Sequence, residues 1–145
     1  MVMKKFLKII SSCFLAVLLL FATACAGVPS TLKSAKDKMV KKGYRVTMTE
    51  YDKKSYEYEM QGLKGILYIY QNIQEKDSWG NTTGKEKEVL ELTAYLYTDT
   101  YWAEKKEKEL KQNPSERISS KIVKKWLLVE GPDGSQVSTI SVFEG

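Results

Sequence analysis

Histidine is absent from all 145 residues, cysteine occurs only twice and proline three times. The first absence removes the usual general base from any serine or cysteine nucleophile, and with it the commonest acid–base group near neutral pH. Past Cys25 neither Cys nor His remains, so the usual ligands of a zinc or copper site are missing. A long apolar run is lacking too. The most hydrophobic stretch, Ile9 to Ala24, is 16 residues and contains Ser11, Ser12, Cys13 and Thr23. A bilayer span needs about 20.

What is present begins at the N-terminus. Met1 to Ile9 carries Lys4, Lys5 and Lys8 and no acid, the apolar stretch follows, and Ala22-Thr23-Ala24 precedes Cys25. Basic, apolar, small residues and then Cys is an order that resembles the signal peptide of a bacterial lipoprotein, with cleavage between Ala24 and Cys25. Ala22-Thr23-Ala24 also fits the A-x-A pattern of ordinary signal cleavage. The lipoprotein resemblance implies a diacylglyceryl group on the Cys25 sulfur, further acylation of the new N-terminus with chains such as palmitate, and residence on the extracytoplasmic face of the cell membrane. A thioether at Cys25 would also remove a lone reactive thiol from an oxidising compartment.

Cleavage there leaves 121 residues (145 minus 24), one cysteine and no intramolecular disulfide. The formal charge falls from +5 to +2, because three lysines leave with the signal. The basicity is therefore partly a targeting feature and makes no case for nucleic acid. A chain of this length forms one domain and buries roughly two-thirds of its unfolded surface, enough for a core. Ala26 to Ser30 alone separate Cys25 from the first helix signal and reach about 15 Å when extended, so the domain sits close to the membrane. The expected organisation is a signal peptide over 1–24, a lipidated Cys and short tether over 25–30, and a single domain over 31–145.

Pro29 and Ser30 or Thr31 open a helix that ends at Gly43. Leu32, Ala35, Met39 and Val40 form its apolar stripe, and five lysines with Asp37 occupy the rest. Tyr44 to Tyr51 alternates as a strand, with Tyr44, Val46 and Met48 on one side. Tyr56, Tyr58 and Met60 alternate with Glu57 and Glu59 as a second strand-like run. Leu63 to Ile73 reads as an interior strand, and Gln74 to Lys85 as a polar loop. Glu88 to Tyr97 is the clearest strand: Leu90, Leu92, Ala94 and Leu96 face one way, and Val89, Glu91, Thr93, Tyr95 and Tyr97 the other.

Thr98 or Asp99 caps a second helix running to about Gln112, with Trp102, Ala103 and Leu110 as a thin apolar face and charge pairs Glu104–Lys108 and Glu107–Lys111. Ile118 to Val129 returns as one strand, with Val123, Leu127 and Val129 opposite Ile122, Trp126 and Leu128. Gly131-Pro132-Asp133-Gly134 is a turn. The β-rich composition of Ser135 to Phe143 favours a strand, although Val137 and Ile140 also fit a helical turn. This order predicts an α+β domain, an antiparallel sheet of about four or five strands covered on one face by two helices. A basic helix, then Gly43-Tyr44-Arg45-Val46-Thr47, and later a tyrosine-bearing strand entering a charged helix resembles small uncharacterised lipoproteins of low-GC bacteria. That resemblance implies the fold class and no chemistry.

Motifs for catalysis fail on their own terms. Gly80-Asn81-Thr82-Thr83-Gly84-Lys85 has three residues between the glycines where a phosphate loop needs four, and Glu86 stands where Ser or Thr belongs. Ser30 and Lys33 have the Ser-x-x-Lys spacing, but neither Ser-Asp-Asn nor Lys-Thr-Gly follows. Glu57 and Glu59 are read as solvated, and Asp133-Gly134 belongs to no calcium loop. No catalytic residue, cofactor or metal is expected. Two features remain. Tyr95 and Tyr97, joined by Tyr68, Tyr70 and Trp79, are expected to form an aromatic surface on the uncovered side of the sheet, able to bind a protein or glycan. The lysines of the first helix face a nearby bilayer. The expected function is thus a lipid-anchored extracytoplasmic binding domain, with an inhibitor or accessory subunit of a secreted or cell-wall enzyme as the alternative.

Overall fold

Capping explains where the chain turns from coil to helix. The computed structural model describes residues 27–113, 119–131 and 139–145. The signal peptide, Ala24, Cys25, Ile118, Pro132 to Gly134 and Ser135 to Ser138 lie outside them. Helix α1, Leu32–Lys41, starts from a capping box in which the Thr31 side chain accepts from the Ser34 N–H at 3.1 Å, and the Thr31 N–H donates to Ser34 Oγ. It buries Leu32, Ala35 and Met39. Strand β1 follows at Arg45–Glu50, then helix α2 at Tyr56–Gln61 and strands β2 at Leu63–Lys76 and β3 at Thr82–Tyr97. Helix α3, Thr100–Lys111, is capped by Asp99. Strands β4, Ser120–Val123, and β5, Trp126–Glu130, precede helix α4 at Thr139–Glu144.

The five strands form one antiparallel sheet in the order β1-β2-β3-β5-β4, the α+β architecture that the sequence pattern predicts. The helices do not share one face. Leu67, Ile69, Leu92, Ala94, Leu96, Trp126 and Leu128 pack with α1 and with Ile140 and Phe143 of α4. Alternate residues Ile66, Tyr97 and Leu127 pack with Ala103, Trp102 and Leu110 of α3 on the opposite side. Period-two geometry forces this division, since β2, β3 and β5 are central strands apolar on both faces.

Four local expectations are corrected. Tyr56 to Met60 is helix α2, not a strand: Ser55 accepts from the Tyr58 N–H at 3.3 Å, and Gly62 stops the helix at φ +61°. The alternation of Tyr56 and Tyr58 with Glu57 and Glu59 mimics a strand, and the caps decide. Gln74 to Lys85 is not a loop but the end of a long hairpin. Asp77 Oδ1 accepts from the Trp79 and Asn81 N–H groups, both at 2.9 Å, and Gly80 takes φ +82°. Residues 120–130 form two strands, because Lys124 turns the chain at φ +55°. Ile122 therefore joins Leu127 and Val129, and Val123 joins Trp126 and Leu128. The tail is helix α4, burying Thr139, Ile140 and Phe143, with the Phe143 ring edge-on to Trp126 at 5.1 Å.

Strand β3 also carries a bulge. Tyr70 pairs with Leu90 and Ile69 with Leu92, leaving Glu91 as the extra residue. Leu90 thus shares the face of Tyr70 and not that of Leu92. Glu91, 1% exposed, accepts from the Thr139 hydroxyl at 3.3 Å, and the Gly131 N–H bonds its carbonyl. No described helix is long and apolar enough to cross a membrane.

Candidate functional site

The tyrosine face of the sheet is closed on two sides by short walls. Tyr68 from β2 and Tyr95 and Tyr97 from β3 form the floor, with Tyr51 at the end of β1. Helix α2 supplies Glu57, Met60 and Gln61, and α3 supplies Trp102, Lys105, Lys106 and Glu109. Between them lies a cleft of ≈ 300 Å³. Its depth depends on Gly62. A Cβ there would lie 2.2 Å from the Trp102 ring, so glycine lets the indole close the junction between α2 and the sheet. Trp102 packs edge-on to Tyr101 at 5.2 Å, and the Lys105 ammonium sits over its ring at 5.4 Å.

The chemistry of the cleft follows from its phenols. Tyr95 and Tyr97 are stacked at 6.4 Å with ring planes 22° apart. Burial pushes the Tyr97 hydroxyl far above the ordinary phenol range, with Tyr95 and Glu109 adding to the shift. Burial also raises Tyr95, and raises Tyr51 alongside Glu57. These groups therefore stay protonated and serve as neutral donors and acceptors. Two lysines, two glutamates and one amide from the helices complete the wall and rim. The set can stack a flat apolar surface and hydrogen-bond hydroxyl or amide groups around it. Among the described residues no group of three or more Cys, Asp or Glu is placed to hold a metal ion.

The predicted aromatic residues divide. Tyr68 and Tyr95 line the cleft and are half-buried. Tyr97 lines it too, but at 3% exposure it is a core residue under α3, which corrects its expected surface role. Tyr70 shares their face yet lies outside the cleft, beneath the Arg45 guanidinium at 4.4 Å. Arg45 also forms a forked ion pair with Glu88, its Nε donating at 2.6 Å. Trp79 is 87% exposed at the hairpin tip, past Lys76, which is itself eight residues and about 25 Å along β2 from Tyr68. It does not join the cluster. The flat surface expected from the sequence is instead a concave site, because α3 covers the end of the sheet that was expected to be bare. Trp102, Tyr51 and Gln61 were missed as site residues. Trp102 reads from sequence as part of a helix core stripe, and nothing local indicates that it faces tyrosines 30 or more residues earlier.

A second hollow of ≈ 410 Å³ lies where the N-terminus of α1 meets β1 and α2, lined in part by Lys33, Lys53, Lys64, Glu50 and Tyr58. The Ser34 N–H there is already satisfied by Thr31, and only two tyrosines reach the hollow, so the aromatic cleft is the better site. Comparison with family models, curated proteins and solved structures finds no match.

Proposed function

We propose that this is a lipid-anchored extracytoplasmic protein whose domain binds a ligand, without catalysis, in the aromatic cleft between α2, α3 and the sheet. The observation that carries the reading is the convergence of four tyrosines and Trp102 around one ≈ 300 Å³ concavity. Such sites bind by stacking and by hydrogen bonds to fixed hydroxyls, and a few buried aromatics dominate the energy. Glycan or peptide segments have the required flat faces and polar edges. Anchoring rests on the signal-like N-terminus and on Cys25.

Titration with cell-wall glycan fragments and with peptides, read by tryptophan fluorescence, tests the site, since Trp102 is the one tryptophan lining it. Binding that shifts the emission and weakens about tenfold in Tyr95→Ser, a loss of about 1.4 kcal/mol, fits the proposal. Binding that ignores both Tyr95→Ser and Trp102→Phe refutes it.

The inhibitor or accessory-subunit reading has one observation of its own. Beyond Tyr70 strand β2 has no β1 partner, and before Leu92 strand β3 has no β5 partner. A two-stranded ribbon therefore projects from the sheet and ends in the exposed Trp79. A protruding tryptophan suits insertion into a partner's pocket. Under this reading Trp79→Ala abolishes partner capture and leaves cleft binding unchanged.

A further inference from the structure

The segment just after Cys25 is part of the folded body. Lys38 donates from α1 to the Gly27 carbonyl and, at 2.8 Å, to the Phe143 carbonyl of α4. Gly27 lies so close to Glu144 that a Cβ would come within 2.4 Å of its carbonyl oxygen. Val28 packs against the core, and the Trp126 indole N–H donates to the Pro29 carbonyl at 2.7 Å. Of the five residues 26–30 between Cys25 and the helix signal, those from Gly27 onward are therefore held against the folded body. Two residue steps place Cys25 within about 7 Å of Gly27. The last described residue before it, Gly27, lies on the face formed by α1 and α4.

Charge divides along the same line. Helix α1 and its cap carry five lysines, Lys33, Lys36, Lys38, Lys41 and Lys42, against Asp37, and with Glu144 of α4 the two helices of this face have a net of +3. On the other face α3 and its cap Asp99 carry four lysines against four acids, and α2 two glutamates, a net of −2. Lys33, Lys41 and Lys42 are exposed, as is Val40 at 50% between them. Lysines close to an anionic leaflet are attracted to it, and an adjacent aliphatic side chain can enter the interface.

We infer that the α1 surface docks on anionic phospholipid headgroups, turning the aromatic cleft on the far side of the sheet away from the bilayer. Anchoring at Cys25 is the premise; orientation is what is added. A reach of about 7 Å from Gly27 to the lipidated residue leaves this face little room to turn outward, and the lysines bind it once it is there. The cleft then meets ligands arriving from outside the cell and stays clear of the lipid.

The full lipidated protein, carrying a fluorophore at Lys41→Cys or at Lys108→Cys on α3, tests the orientation in vesicles with quencher-bearing lipid. With phosphatidylglycerol present, the label at 41 should be quenched several-fold more than the label at 108. Lys33→Glu with Lys42→Glu should collapse that difference while the protein still floats with the vesicles. Equal quenching at both positions, stronger quenching at 108, or a difference unaltered by charge reversal and by pure phosphatidylcholine overturns the inference. Protein that does not float and keeps a free Cys25 thiol defeats anchoring instead. The same labels in excess anionic vesicles then judge the α1 surface alone.

Discussion

At Gly62 the missing side chain shapes both a helix end and the wall beside the aromatic cleft. Its φ of +61° disfavours any L-residue, and the Trp102 ring occupies the space a Cβ would need. Gly62→Ala should destabilise the fold by about 2–3 kcal/mol, from left-handed backbone strain plus displacement of the indole. Urea unfolding measures the loss, and an altered Trp102 environment should appear in the emission spectrum. Tyr51, Tyr95 and Tyr97 set a second expectation at this scale. Their folded-state pKa values are raised, first by burial, above the ordinary value near 10. The folded state thus holds these protons more tightly than the unfolded chain. Their contribution to stability is complete below about pH 10 and is lost as pH rises through the folded values. Phenolate absorbance should show a late component, from Tyr51, Tyr95 and Tyr97, that appears together with unfolding. A titration without that late component would contradict the burial of this cluster.

Among the elements, the β4–β5 hairpin turns on a residue ill suited to it. Lys124 adopts φ +55°, where a non-glycine residue is strained by about 1–2 kcal/mol. Glycine would relieve that strain while adding about 0.4–1 kcal/mol of unfolded-state entropy. Lys124→Gly should therefore stabilise the domain by about 0.5–1 kcal/mol in thermal unfolding, and a loss of stability would mean the turn is not as described. The same lysine explains why residues 118–129 read as one strand. Asn-Gly or Asp-Gly would have announced a two-residue turn, and Lys-Lys does not. Helix α2 shows the opposite case. Ser55 and Gly62 are visible caps, but the alternation of Tyr and Glu between them outweighed two single-residue signals.

For the whole molecule, two faces with different tasks follow from a sheet apolar on both sides. One face receives α1, α4 and the N-terminal segment, and the other receives α3 and forms the cleft. Cleavage before Cys25 would leave Gly27 to Pro29 in place, so processing and folding are compatible. Under the proposed anchoring, two acyl chains on Cys25, at about 0.8 kcal/mol per buried methylene, would give on the order of 20 kcal/mol of gross membrane affinity. Cys25→Ser should abolish fatty-acid labelling and release protein or leave uncleaved precursor, with the domain's unfolding midpoint unchanged. Wild-type protein found in the medium with an unmodified thiol would exclude the anchor.

Local chemistry alone settled a good part of this protein. Thr31 and Asp99 cap α1 and α3, the alternation of Leu92, Ala94 and Leu96 against Tyr95 and Tyr97 defines β3, and the missing histidines remove the commonest catalytic groups. Those features depend on neighbours a few residues away, so they are legible in a one-dimensional pattern. The tertiary structure decided that α3 covers the tyrosine face, that the bulge at Glu91 turns Leu90 away from Leu92, and that Lys38 ties Gly27 to α4. Each depends on groups brought together from distant parts of the chain. Trp102 meets Gly62 across 40 positions and Lys38 meets Phe143 across 105. No local period encodes such pairings, because the face a helix covers is chosen by the combined burial of all the elements at once.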